Sequence, residues 1–91
     1  MNIEALRKVV DEINIEIIAL FSERLKVARE IAKVKKAEDL PVYDPDREKL
    51  QTEMLKEAAK NYGLSPAVIE EIFEIFVEYS RLNMKMEMAH D

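Results

Sequence analysis

This sequence predicts an all-α fold of three helices: one long, one short and one of medium length. Three observations carry the prediction. The residues that interrupt helices are confined to two short stretches, with prolines at 41, 45 and 66 and the one glycine at 63. Between those stretches, apolar residues recur at three- and four-residue spacing, the period of one helix face. No strand pattern stands apart from these helical runs.

The first helix is expected over residues 2–36. Ile3, Val10, Ile17, Arg24 and Ile31 form one seven-residue series, and Leu6, Ile13, Leu20, Val27 and Val34 form another. Together they make the two seams of an amphipathic helix over about five heptads. At 1.5 Å rise per residue such a helix is about 50 Å long. The rest of a compact 91-residue monomer is too short to cover it. The pattern therefore predicts a partner, and a second copy of the chain is the simplest one.

Residues 36–44 read as a loop. Asp44 is placed as an N-cap and Pro45 as the first helical residue. The second helix then runs to about Asn61, with Leu50, Met54 and Ala58 along one side, and Gly63 ends it. Ser65 and Pro66 repeat the cap-plus-proline start, and the third helix runs to about Met88. One of its stripes is Val68, Ile72, Ile75, Tyr79, Leu82 and Met86; a neighbouring stripe is Ile69, Phe73, Phe76 and Ser80. A chain of this length holds one modest core, so residues 1–91 are expected to form a single domain.

Composition narrows the chemistry. There is no cysteine, which excludes disulfides and thiolate catalysis. The one histidine is His90, beside the C-terminus, a poor place for a general base or a metal site. A net charge of −5 argues against nucleic acid as a partner. No apolar run approaches a membrane span, and the opening MNIEALRK lacks a signal-peptide pattern. A soluble cytoplasmic protein without metal or cofactor is the expectation.

Several residues break the pattern around them. Arg24 occupies a seam position otherwise filled by Ile and Val, and a charge buried there must be paired or hydrogen-bonded. A register-fixing arginine, paired with a glutamate across the interface, satisfies the same pattern. Lys35 flanks that seam about 16 Å further along the axis, where a solvated lysine at a helix C-terminus is equally natural. Ser80 interrupts an apolar stripe, as a small core residue bonded to its own backbone also does. The stretch LPVYDPDREKL delivers Arg47 and Glu48 together into a helix's first turn. An acid suits that position and an arginine does not: either Arg47 is a solvated surface residue, or something anionic is held nearby.

If the second helix folds back beside the first, Arg24, Lys35 and Arg47 converge, and Ser80 can face them from the third. The natural ligand of such a pocket is a small molecule with more than one carboxylate or phosphate. Without a nucleophile or a cofactor loop, chemistry there must rest on positioning and electrostatic stabilisation. Arg7 shares the flanking position of Lys35 but lies about 42 Å away along a straight helix. Only in an antiparallel pair of first helices does it reach a pocket, and then the partner's; a surface arginine paired with nearby acids is the alternative.

The chain resembles the all-helical class of chorismate mutases, in their small monofunctional form, over nearly its whole length. The matching pieces are LRKVVDEIN, FSERLKVAREIAKVK, PVYDPDREK and, more loosely, IFVEYSRLN. The resemblance implies an intertwined homodimer with two shared active sites. It also implies rearrangement of chorismate, a dicarboxylate, to prephenate, a step in phenylalanine and tyrosine synthesis. By similarity, Arg24 and the partner's Arg7 clamp the carboxylates, and Lys35 reaches a carboxylate and the ether oxygen. Glu48 binds the ring hydroxyl with help from the backbone at Asp44, Arg47 contributes nearby, and Ser80 meets the ring carboxylate. Lys35, Arg24 and Glu48 are then the catalytic set.

One position departs from the family. Met84 stands where a glutamine or glutamate usually helps bind the ether oxygen, and a thioether has no proton to donate. Two other readings therefore stand beside the mutase: an isochorismate–pyruvate lyase with similar cations, and a non-catalytic helical dimerisation or regulatory module.

Overall fold

The structure is a computed structural model that describes residues 2–89; His90 lies outside the described residues. It is built from α1 (Ile3–Ala37), α2 (Pro45–Asn61) and α3 (Pro66–Ala89). Among the described residues there is no strand, and no helix is long and apolar enough to cross a membrane.

Each helix start has a side-chain acceptor for an otherwise unpaired N–H. Asn2 Oδ1 accepts from Ala5 N at 2.8 Å, Asp44 Oδ1 from Arg47 N at 3.0 Å, and Ser65 Oγ from Val68 N at 3.3 Å. The ends of α1 and α2 share a second device, a left-handed residue followed by a 6→1 backbone bond. After α2 that residue is Gly63 (φ 71°), and Leu64 N donates to Ala59 O at 2.8 Å. After α1 it is Asp39 (φ 55°), and Leu40 N donates to Lys35 O at 2.7 Å.

The third helix lies against both of the others. Its Phe76 ring stacks on Phe21 of α1 with centroids 4.4 Å apart, and Phe73 meets Phe21 edge-on at 6.4 Å. Leu25, Ala28 and Ala32 of α1, Ala59 of α2 and Phe76 and Ser80 of α3 are buried. The alanines let the helix axes approach closely.

This core uses different stripes from some of those the sequence pattern favours. On α1 the covered stripe is Phe21, Leu25, Ala28 and Ala32, whereas Ile17, Leu20, Val27, Ile31 and Val34 of the two seams are exposed. On α2, Leu50, Met54 and Ala58 face outward, and Gln51, Leu55 and Ala59 turn in. On α3 the Ile69–Phe73–Phe76–Ser80 stripe is turned in, and the stripe from Val68 to Met86 is exposed. The physical reason is that α3 can cover only one side of each neighbour, and the small residues sit where axes come closest. The larger aliphatic side chains are left for a second surface.

Every residue from 3 to 20 is exposed, so half of α1 projects beyond the rest of its own chain. The accessible area is 7360 Å², whereas a compact monomer of this mass exposes about 5,500 Å². The radius of gyration is 16.4 Å, against roughly 12 Å for a compact domain of this length.

Candidate active site

A cleft of about 290 Å³ opens where the C-terminal half of α1, the loop before α2, the first turns of α2 and the middle of α3 meet. Arg24, Lys35, Asp44, Arg47, Glu48, Ser80 and Met84 all line it. Arg7 does not; it lies on the projecting half of α1, about 26 Å along the helix from Arg24.

Arg24 is half-buried and held from two sides. One terminal nitrogen donates to Ser80 Oγ at 3.3 Å and the other to Gln51 Oε1 at 3.2 Å. Its guanidinium carbon stands 5.2 Å from the centre of the Phe76 ring. Both of its hydrogen-bond partners are neutral. Burial, and then the nearby charge of Arg47, lowers its pKa from the ordinary arginine value. A guanidinium nonetheless remains charged in proteins, so the cleft wall presents a cation that has no carboxylate partner among the described residues and stands beside a like charge.

Ser80 is buried and donates to Phe76 O at 2.9 Å while accepting from Arg24. It therefore bonds its own helix backbone and also orients the arginine. Lys35 Nζ donates to Val42 O at 2.8 Å, which ties the end of α1 to the loop before α2. Asp44 spends one carboxylate oxygen on its cap bond. Arg47 is exposed at the rim. Glu48 pairs not with its neighbour Arg47 but with Arg81, at 2.9 Å.

Arg81 and Gln51 are the two polar lining residues that sequence reasoning missed. Gln51 follows Arg47 by one helical turn, a spacing that marks a shared face. Arg81 gives no such signal, since an arginine beside an apolar stripe reads as solvated. Met84 lies one turn after Ser80 on the cleft wall. Asn83, the adjacent amide, is turned elsewhere: Nδ2 donates to Tyr79 O at 3.1 Å and Oδ1 accepts from Arg29 at 3.3 Å.

The cleft thus carries four cations against two carboxylates, in a chain whose overall charge is negative. A second cleft, of about 340 Å³ between α2 and α3, is lined by Glu48, Glu70, Glu74 and Glu78 with Arg81 as its one cation. An anion is repelled there and attracted to the first cleft. Ser80, the hydroxyl of the first cleft, is bonded among the described residues to Phe76 O and Arg24 rather than to a base that would activate it. Fold and site together define an all-helical protein with a cationic cleft suited to a small polyanion.

Comparison with known proteins gives that class a family. Residues 6–85 match the model of chorismate mutase type II, and the chain belongs to that family. It is 30% identical over 80 residues to a chorismate mutase of Methanocaldococcus jannaschii, covering 88% of this chain and 81% of that protein. It is 33% identical over 78 residues to a T-protein of Haemophilus influenzae, covering 86% of this chain and 21% of that protein. A bifunctional chorismate mutase/prephenate dehydratase of Aquifex aeolicus is 32% identical over 92 residues, covering 97% of this chain and 25% of that protein. The chain therefore spans most of the first relative and about a fifth to a quarter of the other two.

Proposed function

We propose that the chain, acting as one domain over residues 1–91, rearranges chorismate to prephenate in the cationic cleft. The observation that carries this reading is the cleft itself: four cations around a volume of about 290 Å³, in a member of this family. The reaction is an isomerisation. An ether C–O bond breaks, a C–C bond forms, and no atom enters or leaves. It needs neither a cofactor nor a covalent intermediate. The protein must fold the enolpyruvyl arm over the ring and stabilise negative charge growing on the ether oxygen.

In this reading Arg24, pre-set by Ser80 and Gln51, takes a carboxylate, and Ser80 lies close to the ring carboxylate. Lys35 exchanges or shares its bond to Val42 O and meets the ether oxygen. Glu48 accepts from the ring hydroxyl beside the backbone at Asp44, and Arg47 adds charge at the rim. Holding these cations before the substrate arrives places the reorganisation cost in folding rather than in the reaction. A dianion also relieves the repulsion between Arg24 and Arg47.

The functional unit in this reading is an intertwined homodimer in which the partner's Arg7 completes each cleft. The projecting half of α1, apolar at Ile3, Leu6, Val9, Val10, Ile13, Ile17 and Leu20, supports it. So does the excess exposed area of roughly 1,900 Å², the scale that a chain buries in an obligate dimer.

Met84 favours a second reading, in which the cleft binds the dianion without turning it over. Following chorismate loss by ultraviolet absorbance with purified protein separates the two. Product analysis with chorismate and isochorismate tests the lyase alternative in the same samples. Loss of chorismate with formation of prephenate is the expected result; an inert protein that still binds a dicarboxylate supports the second reading.

A further inference from the structure

Arg81 has no role in the assignments above, yet it is the cleft cation that is ion-paired to Glu48. A terminal nitrogen donates to Glu48 Oε1 at 2.9 Å. The guanidinium carbon lies 5.0 Å from the centre of the Tyr43 ring. Its Nε is buried with no hydrogen-bond partner among the described residues. These contacts join α3 to the first turn of α2 and to the loop before it. A planar guanidinium can stack and ion-pair at once, which a lysine ammonium cannot do. A buried donor without a partner is costly and persists only where other contacts fix the side chain.

Of the four cations that line the cleft with Glu48, the other three are committed elsewhere or exposed at the rim. Arg24 is taken by Ser80 and Gln51, Lys35 by Val42 O, and Arg47 lies at the rim. Arg81 therefore selects one oxygen and one orientation of the carboxylate, and leaves Oε2 to accept from a hydroxyl. We propose that Arg81 is a positioning residue, which fixes Glu48 to read the ring hydroxyl of the substrate and so sets which hydroxylated ring the cleft accepts. The proposal rests on the mutase reading, in which Glu48 binds that hydroxyl.

A kinetic double-mutant cycle tests it, with Arg81→Met, Glu48→Ala and the double variant assayed on chorismate. Arg81→Met is expected to lower kcat/KM by about tenfold, the scale of one charge-assisted hydrogen bond. In the Glu48→Ala background the same substitution is expected to change kcat/KM by less than about twofold, since the group being positioned is gone. Arg81→Lys, which keeps the ion pair and loses the stack, is expected to recover part of the loss. It also serves as the cycle's first arm if Arg81→Met does not fold. A tenfold loss in both backgrounds overturns the proposal alone, because Arg81 then acts independently of Glu48. No loss on Arg81→Met overturns it as well. A fully active Glu48→Ala overturns the assigned role of Glu48 in the mutase reading, and this proposal with it.

Discussion

At residue 84 a methionine lines the cleft beside Lys35 and Ser80, and the neighbouring Asn83 amide is spent on Tyr79 O and Arg29. In the mutase reading the ether oxygen therefore has Lys35 as its main donor. Met84→Gln is close to Met in length and places an N–H near the charge that develops in the transition state. A neutral bond of this kind is worth ~1 kcal/mol net, so kcat is expected to rise about fivefold in steady-state assays. Lys35→Ala is expected to lower kcat at least about a hundredfold, since no second donor remains. If Met84→Gln leaves kcat flat while Lys35→Ala abolishes activity, side chain 84 does not meet the oxygen. If Lys35→Ala is also harmless, the mutase reading of the cleft fails. Arg24 gives the second test at this scale. Arg24→Ala is expected to reduce kcat/KM by roughly thirtyfold or more, about 2 kcal/mol of transition-state stabilisation. Arg24→Leu is expected to be inactive while melting at or above the wild-type temperature, because a half-buried cation beside Arg47 is exchanged for an apolar side chain. A fully active Leu variant makes Arg24 structural. Arg24 was legible in the sequence because a cation interrupted an apolar series. Arg81 was not, because its partners Glu48 and Tyr43 lie on other elements and nothing local distinguishes it.

At the scale of elements, boundaries were readable where side-chain chemistry sets them. Asp44–Pro45 and Ser65–Pro66 mark two helix starts, and Gly63 marks an end, because cap acceptors and left-handed glycines have few substitutes. Which stripe packs inward was less readable. A helix with apolar residues on two faces does not say which face its own chain covers, and buried Ala28, Ala32 and Ala59 carry less hydrophobic signal than the exposed Ile31, Val34 and Met54. The end of α1 is the third case: Asp39 adopts the conformation that glycine prefers, so no glycine announces the turn. Asp39→Gly removes the steric cost of that conformation, though glycine gains more freedom in the unfolded chain. The balance is expected to stabilise the protein by about 0.5 kcal/mol. At Gly63 (φ 71°) a methyl group would meet no heavy atom within 4 Å, so Gly63→Ala is expected to destabilise the protein by about 1 kcal/mol through backbone strain alone. Thermal melts of the two variants at one protein concentration check both signs. A stabilised Gly63→Ala contradicts the account.

At the scale of the whole molecule, the mutase reading leaves one chain incomplete in two ways. The apolar surface along residues 3–20 of α1 is uncovered by the chain's own helices. Helices in proteins draw most of their stability from packing an amphipathic face, so the segment calls for a covering surface. In that reading the cleft also needs Arg7, which lies on that same projecting segment. An antiparallel two-fold pairing of α1 resolves both at once, because the segment that seeks cover carries Arg7 towards the partner's cleft. This pairing predicts complementation. Arg7→Ala and Arg24→Ala homodimers are each expected to be strongly impaired. In a heterodimer of the two, one cleft combines Arg24 from the Arg7→Ala chain with Arg7 from the Arg24→Ala chain, and is wild type at both positions. The other cleft lacks both arginines. Mixing the variants is therefore expected to restore about half of wild-type activity per heterodimer, and about a quarter in a random mixture where half the dimers are mixed. Subunit exchange is verified separately, by mass spectrometry of differently tagged chains. Verified heterodimers without restored activity mean that Arg7 and Arg24 serve one chain's cleft, or that Arg7 has no part in it, and the shared-site arrangement is then wrong.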